Sequence, residues 1–186
     1  GASYPLSIRD TYRKIYPEFF ETLNIKPIKE YPSILKESMN YVNCGGINVV
    51  LTPGRFNSAY YEHAYLAKKI GARLVRNNEL IVKDKIVYFR NYNGKDIRVG
   101  SIYRRLDDEF LDPKFFNPDS LIGVPGIMEA YLSGNVALLN APGNGVADDK
   151  GIYYFVPKMI KYYLGEEPIL KNAPTYLPYF EDDKKY

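Results

Sequence analysis

The sequence has one cysteine, one histidine and no tryptophan among 186 residues. The lone Cys44 excludes an intrachain disulfide. It stands before Gly45-Gly46 with no second cysteine or histidine near it, so a nucleophilic thiol is not expected. One histidine and one cysteine also leave no metal-ligand spacing, and no metal site is expected. Scarce cysteine fits a reducing, cytoplasmic setting. No apolar run reaches the roughly 20 residues of a membrane span, and no signal-peptide pattern opens the chain, so no membrane partner is expected. Net charge is +3, too mild to imply nucleic acid. Neither a GxGxxG fingerprint nor a Walker lysine is present, and no acidic ribose partner follows the first apolar strand. This argues against a dinucleotide or nucleotide-sugar enzyme. The chain opens on Gly rather than Met, which fits a piece of a longer protein.

What is present is tyrosine, 19 copies, whose rings suit core edges and grooves with the hydroxyl reaching a polar partner. The length suits one domain with a sizeable core. The stretch Ile47–Gly71 organises the rest. Ile47 to Leu51 is a short β-branched run of buried-strand type. Thr52-Pro53-Gly54 breaks it. Asn57 or Ser58 is placed to cap a helix carrying Ala59, Tyr60, His63, Ala64, Leu66, Ala67 and Ile70 on one face, and Gly71 ends it. This is the front half of a βαβ unit. The amides at the helix start can hold an anion, with Arg55 beside them. An ordinary strand–loop–helix connection that binds nothing has the same pattern.

Upstream, Pro5–Leu23 reads as a helix with Ile8, Tyr12, Ile15, Phe19, Phe20 and Leu23 on one stripe, capped by Ser3 or Ser7 and divided at Pro17. Asn24 to Pro27 reads as a linker. Glu30–Val42 is a second helix with Ile34, Leu35, Met39 and Val42 inward. Downstream, Ala72–Val75 is a strand parallel to the first. Leu80–Lys83 and Ile86–Phe89 flank Asp84-Lys85 as a hairpin, Asn93-Gly94 is a turn, and Ile97–Tyr103 is a further strand. Asn117 to Ser120 is a turn, Ile127–Leu132 a short helix, and Asn135–Leu139 the last strand. Gly151–Leu164 is a helix with Ile152, Phe155, Val156, Ile160 and Tyr163 inward. Lys150 at its first turn opposes the helix dipole unless an anion is near. The tail from Glu166 reads as extended, with 181–186 disordered. The fold class expected is α/β: a mostly parallel, Rossmann-like sheet flanked by helices, with a small antiparallel hairpin excursion.

Two further stretches carry chemistry. Tyr103-Arg104-Arg105-Leu106-Asp107-Asp108 puts adjacent arginines at a strand end, where open α/β sheets bind ligands. Alternation lets one arginine face the cleft while the other pairs with Asp107 or Asp108. A mutually neutralising charge cluster is the alternative. Asn140-Ala141-Pro142-Gly143-Asn144-Gly145 leaves the last strand with enough glycine for backbone to approach a ligand.

These stretches belong to a longer pattern. It comprises Leu51-Thr52-Pro53-Gly54 with Asn57 to His63; Tyr103 to Asp108 with Leu111-Asp112-Pro113; and Asp119-Ser120 with Gly123-Val124-Pro125-Gly126. It continues in Asn140-Ala141, Gly143 and Gly145 to Lys150, then Tyr163 to Leu170 with Pro174-Thr175-Tyr176. In that order and spacing it resembles the circularly permuted ATP-grasp type 2 proteins, bacterial relatives of glutathionylspermidine synthetases. The resemblance covers nearly the whole chain, including Gly1-Ala2-Ser3-Tyr4. It implies the middle of such a protein: residues 1–44 a helical remnant of a preceding part, 45–150 a pre-ATP-grasp-like α/β domain, and 151–186 a helix and tail leading to a further domain.

The resemblance also implies chemistry. The whole protein would use ATP and Mg2+ to activate a small-molecule or peptide carboxylate as an acylphosphate, which an amine then attacks. Its partners would be those substrates and the missing ATP-grasp domains, with no cofactor held tightly by this piece alone. Arg104 or Arg105 would hold the carboxylate or acylphosphate. Arg55, Asn57, Ser58, His63, Asp107, Asp108, Asp119 and Ser120 would line the substrate, and Asn140, Gly143, Gly145 and Lys150 the nucleotide; the alternatives are a satisfied histidine at the helix–sheet boundary for His63, and aspartates that fix the arginines for Asp107 and Asp108. The loop after Leu51, the arginine pair and the 140–150 segment would then share one crevice. A non-catalytic binding module or inactive relative is the alternative, and the isolated piece is expected to be inactive.

Overall fold

The computed structural model describes residues 3–23, 25, 28 and 30–185. The linker expected at Asn24–Pro27 lies largely outside the described residues, as do Gly1, Ala2 and Tyr186. The chain forms two compact units, 1–140 and 141–186.

The first unit is mixed α/β. Its strands are β1 (Ile47–Leu51), β2 (Arg73–Val75), β3 (Leu80–Lys83), β4 (Ile86–Phe89), β5 (Ile97–Arg104) and β6 (Ala137–Leu139). They lie in the order β2-β1-β5-β4-β3, with β6 also on β5. β1 pairs in parallel with β2 and β5, and β5 with β6; β4 runs antiparallel to both β3 and β5. The first residues of β5 pair with β4 and its last with β6, so the sheet is mixed, with the β3–β4 hairpin joined antiparallel to its parallel strands. Asp84 and Lys85 turn the β3–β4 hairpin in left-handed backbone, as the two-residue loop predicts.

The helices are α1 (Ser3–Ile15), α2 (Pro17–Thr22), α3 (Glu30–Tyr41), α4 (Tyr60–Ile70), α5 (Asp108–Leu111) and α6 (Ile127–Leu132). α4 follows β1 and buries His63, Leu66, Ala67 and Ile70. Gly71 caps it in left-handed conformation at φ 71°. With Met39 and Val50, Leu66, Ala67 and Ile70 make one apolar layer. Val49, Leu51, Ile102, Leu111, Ile127 and Leu138 belong to the larger layer. Successive β1 residues thus feed opposite layers, as strand alternation requires. Asp112, 1% exposed, anchors α6: its carboxylate accepts from the N–H groups of Gly126, Met128 and Lys114 at 3.1, 3.0 and 2.9 Å.

At the amino end of β1 an amide cluster closes on itself. Asn48 Oδ1 accepts from Asn43 Nδ2 at 2.6 Å and Ser101 Oγ at 2.7 Å, and Asn48 Nδ2 donates to Asn40 Oδ1 at 2.6 Å.

Several sequence readings need correction. Pro17 divides the first helix as read; on its stripe Ile8, Tyr12, Ile15 and Phe19 are exposed, and Leu6 and Ser7 are buried. Ser7 lies inside α1, bonded to the Tyr61 hydroxyl at 3.0 Å, and does not cap it. In α3 Met39 is buried but Ile34 is exposed, as is Val42 just past the helix end. α4 starts after Ala59, with neither Asn57 nor Ser58 as its cap; Asn57 Oδ1 instead accepts from Ala59 N–H at 2.9 Å within the loop.

In the second unit a 3-10 turn (Asn144–Asp148) precedes α7 (Lys150–Leu164). Asp149 caps α7, accepting from the N–H of Gly151 at 2.7 Å and Ile152 at 3.2 Å. That carboxylate answers the helix dipole that Lys150 opposes. Tyr163 is exposed, against expectation. The tail turns through 178–185, and Phe180 stacks on Tyr154 with centroids 5.8 Å apart. Lys158 Nζ lies 4.3 Å from the Tyr154 ring centre.

Candidate substrate site at the carboxyl edge of β1 and β5

β1 lies between β2, which follows it in the chain, and β5, which comes later. The carboxyl edge between β1 and β5 is therefore a point where strand order reverses, the place where open α/β sheets leave a crevice. The backbone closes it tightly. Arg105 N–H donates to Leu51 O at 2.8 Å, and Thr52 N–H donates to Val75 O at 2.9 Å. Gly54, at φ 109°, turns the chain away.

The two arginines have different fates. Arg104 is the tail of β5, with its side chain 7% exposed. It donates from Nε to Asn140 O and from Nη1 to Leu106 O, both at 2.7 Å, and its Nη2 meets Asp108 Oδ1 at 2.5 Å. One arginine is thus tied by a carboxylate, as alternation allows. Arg105 is half-buried and carries no ion pair among the described residues. Its charge is felt at His63 of α4 and at Tyr31 in the first turn of α3. Burial is the main influence that raises the Tyr31 pKa; Tyr103 adds to it and Arg105 opposes it.

His63 is 2% exposed. Its Nδ1 lies 2.8 Å from Thr52 Oγ1, which also accepts from Gly54 N–H at 3.2 Å. Burial first, and the Arg105 guanidinium second, push its pKa down to about 4, so the imidazole is neutral at physiological pH. Thr52 was not singled out from sequence. A polar residue directly after the last buried strand residue, with a histidine on the following helix, was the available signal.

A hollow of about 290 Å3 opens on the β2 side of β1, lined by Thr52, Arg55, Tyr60, Val75, Arg76 and Glu79 but not by Arg105 or His63. Glu79 is engaged there: Oε2 accepts from Arg76 N–H at 2.8 Å and lies 3.5 Å from Arg76 Nε. Arg55, Asn57 and Ser58 are exposed on the loop above. Asp107 is exposed at the start of α5. Asp119 is exposed, and Ser120 Oγ donates to Phe110 O at 2.7 Å and accepts from Gly123 N–H at 3.1 Å, so this hydroxyl holds its own loop.

Asn140 gives its carbonyl to Arg104. Gly143, Gly145 and Lys150 belong to the second unit. There Gly143 has φ 89°, and Lys150 Nζ donates to Asp148 O at 3.1 Å. The amides at the start of α7 already donate to Asp149, so a phosphate there would have to compete with that carboxylate. Among the described residues no three His, Cys, Asp or Glu side chains gather as a metal site, and no helix is long and apolar enough to cross a membrane.

Comparisons with known proteins agree with the pattern of residues. A Synechocystis protein, "Uncharacterized protein sll0335", is 50% identical over all of this chain and 39% of its own length. The Mycobacterium tuberculosis "Uncharacterized protein Rv2411c" is 42% identical over all of this chain and 34% of its own. A Frankia alni protein named "Putative glutamate--cysteine ligase 2-3" is 35% identical over 95% of this chain and 21% of its own. This chain therefore spans well under half the length of these relatives. The sequence profile described as "A circularly permuted ATPgrasp" matches residues 1–186, the whole chain, and the protein belongs to the circularly permuted ATP-grasp family.

Proposed function

We propose that this chain is the substrate-binding portion of an ATP-dependent carboxylate–amine ligase, with residues 45–150 serving as its Rossmann-like, pre-ATP-grasp part. The observation that carries the reading is Arg105: a half-buried guanidinium without a carboxylate partner among the described residues, at the sheet edge beside His63. A buried or half-buried cation held without a protein counter-ion suits an anion supplied from outside. The ligase named among the relatives supports amide-bond chemistry. Arg105 then binds the substrate carboxylate and neutralises the charge that develops when it is phosphorylated. Arg104 shapes the edge from behind. Arg55, Asn57 and Ser58 border the substrate, and Asn140, Gly143, Gly145 and Lys150 are assigned to the nucleotide. ATP supplies the phosphoryl group when bound, and the magnesium it needs is assigned to residues outside this chain. A cytoplasmic setting fits this chemistry.

The test uses the whole protein with Mg-ATP, candidate acids and hydroxylamine, which converts an acylphosphate to a stable hydroxamate. Hydroxamate should form and should fall about 100- to 1000-fold in Arg105→Gln, the usual loss when one transition-state donor is removed. Ligand binding without hydroxamate for any acid would favour the non-catalytic binding module.

A further inference from the structure

Proton positions in the Thr52–His63 pair follow from counting donors. Thr52 is 1% exposed, and its backbone is fixed to β2. Its Oγ1 accepts the Gly54 N–H and lies 2.8 Å from His63 Nδ1; it makes no other hydrogen bond among the described residues. A threonine hydroxyl carries one proton. If Nδ1 were protonated, two N–H groups would aim at one oxygen and the hydroxyl proton would be buried without an acceptor. So Nδ1 accepts, and the imidazole proton sits on Nε2.

We infer that Thr52 is a positioning residue: by donating to Nδ1 it holds His63 as a fixed Nε2–H donor, which joins Arg105 in binding a substrate carboxylate. This rests on the carboxylate reading of the edge given above. Each of the two groups then offers donors and no acceptor. Burial and the neighbouring guanidinium both oppose a charged imidazole, so His63 adds direction without adding charge. The pair carries one net positive charge, which matches a carboxylate better than a phosphate dianion.

The test is 15N NMR of protein labelled at histidine and arginine, in which His63 is the only histidine of the 186 residues. The wild-type spectrum should show a bare Nδ1 and a protonated Nε2. Thr52→Val should mix the tautomers and Thr52→Ser should restore them. The wild-type spectrum is itself decisive should Thr52→Val fail to fold. A protonated Nδ1 in wild type, or an unchanged tautomer in a folded Thr52→Val, would overturn the inference. Acetate, titrated against inorganic phosphate as contrast, should move the His63 Nε2 and Arg105 Nε resonances together, and its affinity should weaken about three- to tenfold in Thr52→Val. Movement at Arg105 alone would overturn the role of His63 and leave the carboxylate reading standing. Movement at neither would overturn both, and stronger binding of phosphate than acetate would overturn the choice of carboxylate.

Discussion

The two ends of β1 carry polar clusters of opposite character. At the amino end Asn48, Asn43, Asn40 and Ser101 bond to one another. At the carboxyl end Thr52 holds His63, but Arg105 stands beside them with no carboxylate among the described residues. A cluster that closes on itself specifies structure, because each member would cost energy if left alone. A cluster that stays open around a cation asks for a partner. Three expectations sharpen this contrast.

The largest concerns His63. Its pKa is about 4 when folded against about 6.5 in an unfolded chain. The folded state holds the imidazole neutral, so between pH 4 and 6.5 the unfolded chain binds the extra proton. Stability contributed by the neutral form is complete above about pH 6.5 and is lost as pH falls towards 4. At about 1.4 kcal/mol per unit, the loss approaches about 3 kcal/mol. Denaturant unfolding of wild type and His63→Gln at pH 7 and pH 4 should show that difference. Asp10 does not confuse the window, because its hydrogen bond from Lys69 holds its pKa below the usual value. Equal pH dependence in both proteins would mean that the imidazole is charged in its pocket.

The next tests the closed end. Asn48→Ala strips partners from Asn43, Asn40 and the fully buried Ser101 together. Leaving buried polar groups unmet should cost about 2 kcal/mol in urea unfolding, with carboxylate binding at the other end unchanged. A binding change as large as the stability change would show that the two ends are coupled.

Much of this was legible in sequence, and the failures have physical causes. β1, α4 and the β3–β4 hairpin were read correctly because period, apolar run and turn residues agreed. Ile34 and Val42 were misread as inward because periodicity reports that a face is apolar, not what covers it. The antiparallel hairpin was read, but the division of β5 between β4 and β6 was not, because it is a long-range choice. At the edge, alternation foresaw that the arginines would part, but could not say which. His63 was singled out without its partner: Thr52 lies 11 residues away, and only the return of α4 over the sheet brings them together.

The smallest expected stability effect separates the arginines. Arg104→Gln removes a guanidinium, 7% exposed, that holds the Asn140 and Leu106 carbonyls and meets the Asp108 carboxylate, at a cost of about 2 kcal/mol. Arg105→Gln removes a charge that no carboxylate among the described residues answers and that opposes protonation of His63. Its unfolding free energy should change by less than about 0.5 kcal/mol. Ligand binding should reverse the order, with the carboxylate lost in Arg105→Gln and largely kept in Arg104→Gln. If Arg105→Gln proved the more destabilising, its guanidinium would be serving the fold, and the edge of β1 and β5 would be a closed cluster like its opposite end.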